Sequence, residues 1–504
     1  MRPLDPDLVR RLDLELALEV EATTVRDLMP EEPAWKDLAL NAKPISDWIR
    51  AQLLAGHLPS PQAVVGARKA GHGVRPIAVL HQVDRIIYRA LTSLVLAGRP
   101  IVDRSRQRYL DFVVAPIRYS LVESLQIDLS DPWATTSRIQ YVVKSDVSSF
   151  YQYIDHEILA KELMLQTGEF AAIEALIDFL ADLQGRRFGL PQQLQASHEL
   201  SEYYIDIAER RMIREGFPIW RYNDDFRIAT QSYGEALRAV DALSAVAREL
   251  GLVISEHKTS TPSLRTYVYD NTGLTADDAI PSDISAEDAV GDYLEELDES
   301  TLEEARQLIG EASPVADAIK DGSPSLEDVR KLRRTIAAFR LEEDPGLTSE
   351  ADRIVAYVAS LTPDVARYLS SLDELSQVAD AVDSIITGVS LNEWQELWMI
   401  DVIRRLNFLD DNAPGDVTSR QRWVRKLSYT DRSPVVRAYC FWTLASAELV
   451  TAQQVDFAMR EAPSCLSSWY LAALKALSPL AEDKAAKLIK AVRAESRLHG
   501  WILS

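Results

Sequence analysis

Three carboxylates in two short segments are the residues best suited to do chemistry in this sequence. Asp146 ends a β-prone run that begins at Tyr141, and Asp224 and Asp225 are adjacent within an apolar strand-turn-strand pattern. Adjacent like charges are unfavourable unless a cation or a tight turn compensates for them. Mg²⁺ prefers such hard oxygen ligands, usually one or two carboxylates per ion together with substrate phosphates. Three carboxylates from two neighbouring strands therefore predict two ions about 4 Å apart, suited to an in-line displacement at phosphorus.

A purely structural interpretation of the same residues stays open at this point. Asp224 and Asp225 would then form a hairpin turn, and Asp146 would cap a helix. Short motifs often arise by chance, so neither segment decides between the two interpretations by itself.

Both segments resemble motifs of the reverse transcriptases. Tyr222-Asn223-Asp224-Asp225 resembles the family's Tyr-x-Asp-Asp motif, and Asp146 with Phe150-Tyr151 resembles the preceding metal-binding motif. Residues 189–193 (Gly-Leu-Pro-Gln-Gln), followed by Ser197, resemble the template-and-nucleotide motif. Gln193 departs from the family's usual Gly, whose conformational freedom would shape this loop.

Two further segments extend the resemblance upstream and downstream. Residues 68–77, followed by Asp84-Arg85, resemble the basic fingers segment that covers the incoming triphosphate, and residues 251–259 resemble the Gly-Leu…Lys-Thr motif. Five motifs in order are far more specific than any one of them. The resemblance implies an RNA-directed DNA polymerase that uses deoxynucleoside triphosphates and two Mg²⁺ ions, with Mn²⁺ as the alternative ion.

The resemblance also implies roles for individual residues. Asp146, Asp224 and Asp225 would be catalytic and, with Val147, would hold the metal ions. Tyr151 would lie under the sugar and exclude a 2′-hydroxyl, a core aromatic being its alternative role. Nucleotide-binding residues would be Arg68, Lys69, Arg75, Tyr151, Gln192 and Lys258, and template or primer contacts would come from Pro191, Ser197 and Tyr222.

The elements that would position these residues follow from periodicity and turn signals. Residues 1–60 predict helices, 58–76 a loop, and 82–98, 157–184 and 195–215 further helices. Residues 113–117 (VVAPI), the run to Asp146 and the segment around Asp224 predict β-structure. We therefore expect an α+β core of reverse-transcriptase fingers and palm over 61–270, after an N-terminal helical segment over 1–60.

The second half of the chain predicts a different architecture. Residues 271–300 carry ten acidic and no basic side chains, which is typical of a solvated linker. Residues 301–504 predict an all-α domain without a recognisable thumb. Similar segments around Pro434 and Pro463 hint at helical repeats of the HEAT type.

Charge and composition limit the function classes. The chain carries 55 basic and 77 acidic side chains, for a net charge of −22, which argues against nonspecific coating of nucleic acid. The segment 61–120 nevertheless carries 10 basic and 3 acidic residues and suits a phosphate-rich ligand. No apolar stretch reaches transmembrane length, and Cys440 and Cys465 lack metal-ligand spacing, so we expect a cytoplasmic protein without a disulfide scaffold.

A polymerase core followed by acidic helices resembles the bacterial defence-associated reverse transcriptases of the AbiK abortive-infection type. That resemblance implies antiphage function, homo-oligomers, and DNA synthesis that is protein-primed without a template or templated by a noncoding RNA. A mobile-element or housekeeping reverse transcriptase is one alternative. A catalytically idle nucleic-acid-binding scaffold is another, although three clustered carboxylates have no use in an idle site.

Overall fold

Five short strands form two antiparallel sheets in the computed structural model, which describes residues 2–70, 73–100, 103–125, 138–272, 325–429, 433–480 and 483–504. Strands β1 (Ala63–Arg68) and β2 (Val74–Val79) pair as a hairpin. Strands β3 (Tyr141–Asp146), β4 (Ile219–Tyr222) and β5 (Asp225–Thr230) form a sheet in the order β3-β5-β4. β-Branched residues such as Val142, Val143 and Ile228 fill its interior positions, as the pleated surface favours.

Helices surround these strands in the first half of the chain. Four of them, α1 to α4, precede β1, and their apolar faces are buried. The helices are α1 (Pro6–Arg11), α2 (Leu14–Thr23), α3 (Trp35–Leu40), α4 (Ala42–Ala55), α5 (Gln82–Val95), α6 (Arg106–Leu125), α7 (Phe150–Tyr153), α8 (His156–Thr167), α9 (Phe170–Gln184), α10 (Gln195–Arg214), α11 (Tyr233–Glu249) and α12 (Leu264–Thr272).

The described residues from 325 onward contain helices and no strand. Alternate helices contact each other: α13, α15, α17, α19 and α21 form one continuous row, and α14, α16 and α18 form a second. The helices are α13 (Leu326–Leu341), α14 (Ala351–Tyr357), α15 (Thr362–Leu369), α16 (Leu375–Gly388), α17 (Glu393–Arg405), α18 (Val417–Ser428), α19 (Pro434–Ser446), α20 (Ala452–Glu461), α21 (Ser467–Leu477), α22 (Asp483–Glu495) and α23 (Arg497–Ile502). Two rows of alternating helices are the arrangement that stacked helical pairs produce.

The predicted fold class, an α+β core followed by a helical region, is confirmed, whereas three local predictions are wrong. The predicted loop over 58–76 contains β1, because Val65 and Ala67 alternate with exposed residues as one buried strand face. Residues 113–117 lie in α6, which accommodates Pro116 in its interior. The predicted helix over 157–184 is two helices, since Gly168 ends α8 in a left-handed conformation (φ 73°).

The described residues divide into two compact units. Residues up to 90 form the first unit with those from 325 onward, and residues 91–272 form the second. The predicted boundary at residue 61 thus falls inside the first unit. The predicted acidic linker over 271–300 lies outside the described residues, except for the last two residues of α12.

The first unit is joined by contacts between its N-terminal and C-terminal segments. Strand β1 contacts α17 and α19. The indole N–H of Trp394 donates to the Leu28 carbonyl at 2.6 Å, and the Tyr439 hydroxyl donates to the Pro30 carbonyl at 3.2 Å. Lys475 pairs with Asp37 at 2.8 Å. The β1–β2 hairpin is therefore built into a helical unit.

A buried ion cluster lies at the centre of the first unit's N-terminal segment. Arg85 pairs with Glu21 at 2.7 Å and with Glu32 at 2.5 Å, and Arg26 pairs with Glu32 at 2.6 Å. Burial alone would raise the pKa of Glu32, but the two guanidiniums lower it below its usual value. Arg26 also donates to the carbonyl of Ala78 in β2 at 2.6 Å, so the cluster connects the loop after α2 to the hairpin.

The second unit is organised around the three-stranded sheet. Helix α6 packs against β4 and β5, and α11 packs against β3 and β5. Tyr267 of α12 is fully buried against Ile117 and Val142, and its hydroxyl donates to the Val113 carbonyl at 2.7 Å. None of the described helices in either unit is long and apolar enough to cross a bilayer.

Substitution of Glu32 tests the buried cluster. Glu32→Gln leaves Arg26 and Arg85 buried without their shared carboxylate, and removing one partner of a buried pair costs about 3–5 kcal/mol of unfolding free energy. Glu31→Gln is the matched control because its half-exposed side chain reaches Arg404 and Arg405 only at 3.7 and 3.6 Å, so we expect a change within about 0.5 kcal/mol. Urea unfolding of the full chain measures both, and equal losses would contradict the assignment.

Candidate active site

The register of β3 with β5 brings the carboxylates together. Asp146 is directly opposite Asp225, and residues opposite each other in an antiparallel pair project from the same face. Asp224 occupies the two-residue turn between β4 and β5, and its carbonyl accepts from the Val147 amide at 3.3 Å. Asn223 begins that turn with φ 52°, a left-handed conformation that Asn tolerates better than most residues. Strand ends and a tight turn therefore place all three acids at one edge of the sheet.

Burial and mutual repulsion act strongly on these acids. Desolvation, followed by the charges of Asp146 and Asp225, raises the pKa of Asp224 to about 7. Desolvation also raises the pKa of Asp225, although Arg227, Lys258 and Lys144 oppose that shift. A carboxylate with so high a pKa holds its charge only at a cost near neutral pH, and a bound cation would remove that cost.

A pair of basic residues follows the acidic pair on the same sheet face. Lys144 is opposite Arg227, two positions along the strands from Asp146 and Asp225. Because side chains alternate between faces, both pairs project from the same side. Burial and the neighbouring Arg227 charge lower the pKa of Lys144. The positive charges of Lys144 and Arg227 partly offset the negative charges of Asp146 and Asp225 from two residues further along the strands.

Lys258 is the cation that touches the acidic cluster. Its ammonium lies 3.1 Å from a carboxylate oxygen of Asp146, and its side chain is mostly exposed. Partial desolvation lowers the pKa of Lys258, but Asp146 and the other two carboxylates outweigh it and raise that pKa. The backbone holds the segment in place, since the Ser255 amide donates to the Asp146 carbonyl at 2.7 Å and Ser260 exchanges two hydrogen bonds with Lys144.

The loop after α9 approaches the same region through backbone contacts. The amide of Leu190 donates to the Tyr151 carbonyl at 2.8 Å, and that of Gly189 donates to the Ile154 carbonyl at 2.8 Å. Gln193 adopts φ 65°, so a non-glycine residue occupies the left-handed conformation for which the family's usual Gly is suited. Pro191 and Ser197 are buried and Gln192 is half-buried. Their contacts with a template or nucleotide stay predictions.

Tyr151 and Tyr222 both have hydroxyls engaged in hydrogen bonds. The hydroxyl of Tyr151 lies 2.6 Å from Nδ1 of His198, and burial raises the pKa of that hydroxyl. The Tyr222 hydroxyl donates to the Arg104 carbonyl at 2.8 Å, and its ring packs against Phe112. Tyr222 is thus a core residue in the structure, and its predicted template contact is untested.

The predicted triphosphate-binding residues lie on the β1–β2 hairpin of the first unit. Arg68 is opposite Val74, whereas Arg75 is opposite Ala67, so the two arginines project from opposite faces of the hairpin. Arg75 shares the face of buried Ala67, and Arg68 and Lys69 are exposed. The structure therefore does not bring Arg68 and Arg75 together on one face of the hairpin.

Sequence reasoning missed a polar network behind the carboxylates. Arg221 donates to Glu202 at 2.7 Å and to the Asn223 carbonyl at 2.9 Å, and Arg104 donates to Glu202 at 2.9 Å. Arg221 precedes Tyr222 directly, and Glu202 lies four residues after His198 on α10. That helical spacing, together with a positive charge directly before the Tyr222–Asp225 motif, is the signal that could have identified them.

The sequence segment that holds this site matches a known family. Residues 67–275 match the family described as reverse transcriptase (RNA-dependent DNA polymerase). These residues form a reverse transcriptase domain. The prediction of an RNA-directed DNA polymerase is thereby confirmed, and such a domain implies nucleotide substrates and a nucleic-acid template. No curated protein matches the sequence.

Three similar solved structures are telomerases. The chain covers 67% of the telomerase from Candida tropicalis in complex with a TWJ fragment of telomeric RNA over 76% of its own length, with 12% identity and a TM-score of 0.33. The chain covers 63% of the Candida albicans telomerase in complex with a TWJ fragment of telomeric RNA over 70% of its own length, with 10% identity and a TM-score of 0.31. The chain covers 74% of the apo telomerase of Candida tropicalis over 85% of its own length, with 10% identity and a TM-score of 0.34.

Glycine substitutions in the reverse transcriptase domain test the geometry of the loop after α9. Gln193→Gly removes left-handed strain of about 1 kcal/mol, which offsets the entropy that glycine costs, so we expect no loss of stability. Gln192→Gly, the adjacent control outside the left-handed region, should lose about 0.5–1 kcal/mol. Urea unfolding compares the two variants, and a destabilised Gln193→Gly protein would contradict the φ assignment.

The raised pKa of Asp224 predicts a pH-dependent stability. An acid whose pKa is higher in the folded state binds more protons when folded, so its contribution to folding weakens as pH rises from about 4 through 7. Asp224→Asn should therefore be more stable than the natural chain at pH 8 in the presence of a chelator, and the difference should vanish near pH 4. Urea midpoints at both pH values measure this, and the same difference at pH 4 and 8 would exclude a titrating Asp224.

Proposed function

We propose that this protein is a reverse-transcriptase-type DNA polymerase of antiphage defence that adds deoxynucleotides by two-metal-ion catalysis. The observation that carries the proposal is the juxtaposition of Asp146, Asp224 and Asp225 within the segment that matches the reverse transcriptase family. The carboxylates repel each other and lose solvation, and bound metal cations would relieve both costs. A catalytically idle scaffold would gain nothing from it.

The donor set fits Mg²⁺, with Mn²⁺ as the alternative ion. Its side-chain ligands would be the oxygens of Asp146, Asp224 and Asp225, and the backbone of Val147 lies beside the Asp224 turn. Across the part of the chain that the structure describes, no three His, Cys, Asp or Glu side chains already surround one point as a metal site. When bound, the ions would neutralise phosphate charge and activate a primer hydroxyl.

The remaining site residues would bind and orient the nucleotide. The ammonium of Lys258 lies beside Asp146, where it would stabilise the negative charge of the departing pyrophosphate or donate a proton to it. Arg68, Lys69 and Arg75 would bind the triphosphate, and Gln192 would contact the nucleotide. The ring of Tyr151 would lie under the sugar and exclude a 2′-hydroxyl. Pro191, Ser197 and Tyr222 would contact the template or primer.

The defence role is supported by the combination of elements in the chain. A polymerase domain is followed by rows of alternating helices, the arrangement expected of HEAT-like repeats. We propose that this helical region mediates homo-oligomerisation and product handling. Synthesis would be primed by a protein hydroxyl without a template, or templated by a noncoding RNA. A monomer mass measured by light scattering would contradict the proposed homo-oligomer.

Incorporation of labelled deoxynucleotides by the purified full chain tests the polymerase. Asp224→Asn/Asp225→Asn should lose at least about 100-fold in rate, because charge stabilisation at the reacting phosphate is lost. Asp241→Asn on the exposed surface of α11 is the matched control and should retain the rate. Reactions with and without an RNA template, before and after protease treatment, separate templated from protein-primed synthesis. Synthesis by the doubly substituted chain would contradict the assigned carboxylates.

Phage challenge tests the defence role with the same variants. Phage should form fewer plaques on cells that express the natural chain or Asp241→Asn than on cells that express Asp224→Asn/Asp225→Asn. Equal protection by all three would support a scaffold instead. Polymerase activity without protection would favour a mobile-element or housekeeping enzyme.

A further inference from the structure

A hydrogen-bond network in the second unit surrounds the hydroxyl of Tyr151. Nδ1 of His198 lies 2.6 Å from that hydroxyl, and the Ser201 hydroxyl donates to it at 3.3 Å. A longer contact of 3.4 Å comes from Arg104. The rings of Tyr151 and His198 meet edge to face with centroids 5.4 Å apart. Three partners and a ring contact thus restrict the rotation of this tyrosine.

Helix α10 supplies most of these partners from one face. His198, Ser201 and Glu202 are separated by three and four residues, the spacing at which helical side chains are neighbours. Arg104 completes the cluster, since it donates to the His198 carbonyl at 3.0 Å and to Glu202 at 2.9 Å. The side chain of Glu202 is 14% exposed, so the ion pair is shielded from water and holds its geometry well.

The same network continues to the turn that carries Asp224. Glu202 accepts from Arg221 at 2.7 Å, and Arg221 donates to the Asn223 carbonyl at 2.9 Å. The Arg104 carbonyl accepts the Tyr222 hydroxyl at 2.8 Å. Tyr151 and the carboxylate turn are therefore fixed to one set of buried polar groups, and neither can shift without breaking bonds that also hold the other.

We propose that His198 is the positioning residue that fixes the Tyr151 ring and thereby determines discrimination between deoxyribonucleotides and ribonucleotides, with Arg104 connecting that ring to the Asp224 turn. The inference rests on the proposed polymerase function. A ring excludes a 2′-hydroxyl only if it resists displacement. A tyrosine whose hydroxyl is bound must break a hydrogen bond to move aside, whereas an unbound ring needs only to rotate.

The test compares kcat/KM for a deoxynucleotide and the matching ribonucleotide in full-length variants. His198→Phe keeps a ring and removes the hydrogen-bond partner, and Tyr151→Phe removes the hydroxyl from the other side. His198→Phe should reduce discrimination about fivefold to tenfold, the effect of one hydrogen bond, with deoxynucleotide kcat/KM within about threefold of the natural chain, and Tyr151→Phe should reduce discrimination at least as much. His198→Phe/Tyr151→Phe should match Tyr151→Phe, because loss of the hydroxyl already removes its bond to His198. Tyr153→Phe, which removes a hydroxyl from a half-exposed ring of the same helix, should change nothing.

Each contrary result has a distinct meaning. If the natural protein discriminates between the two nucleotides and the His198→Phe variant discriminates equally well, the proposal is overturned. Equal losses of kcat/KM for both nucleotides would also overturn it, because a merely structural residue lowers both values together. Additive losses of discrimination in the double variant would overturn it as well. Polymerisation without discrimination by the natural chain would overturn this inference alone, whereas no polymerisation would overturn the proposed function as well. If His198→Phe fails to fold by circular dichroism, Tyr151→Phe alone decides the outcome.

Discussion

The pairing register of β3 with β5 is the constraint on which the active site depends. Side chains alternate between faces, so a slip of one residue would send Asp146 to the opposite side of the sheet from Asp225. The apolar pairs Val142 with Ala229 and Val143 with Ile228 specify the register, and the like-charge pair at the strand end is carried along with them. The sheet therefore gains its stability from the apolar pairs and places two acids opposite each other at its end, an arrangement common where function opposes stability.

The ion cluster of the first unit and the β3–β5 ladder of the second unit arrange their charges differently. In the first unit, Glu21 and Glu32 alternate with Arg26 and Arg85, so every charge in this cluster has an opposite neighbour. In the second unit, like charges face like charges, acid opposite acid and base opposite base along one ladder. A neutralised cluster is typical of a structural role, because it is costly to break. An acidic pair whose carboxylates face and repel each other is typical of a functional site.

The sequence predicted the chemistry better than the framework. The adjacent aspartates and the order of motifs predicted that Asp146, Asp224 and Asp225 act together, and the structure places them close to one another. Strand β1 was missed, since glycine and basic residues obscured its short alternating pattern, and residues 113–117 were misassigned because β-branched residues also pack in helices. The dependence of Tyr151 on His198 could not be predicted, since 47 residues separate them and only the packing of α10 brings them together.

The order of the units along the chain has a consequence for biosynthesis. Residues 91–272 form a continuous unit whose strands and helices are all available once that segment leaves the ribosome. The first unit is discontinuous: β1 needs α17 and α19, which are made more than 300 residues later. The β1–β2 hairpin must therefore wait until α17 and α19 have been made, while the carboxylate edge can assemble earlier. A chain released before α17 and α19 were made would carry a formed sheet with its acidic residues but a hairpin without its packing partners.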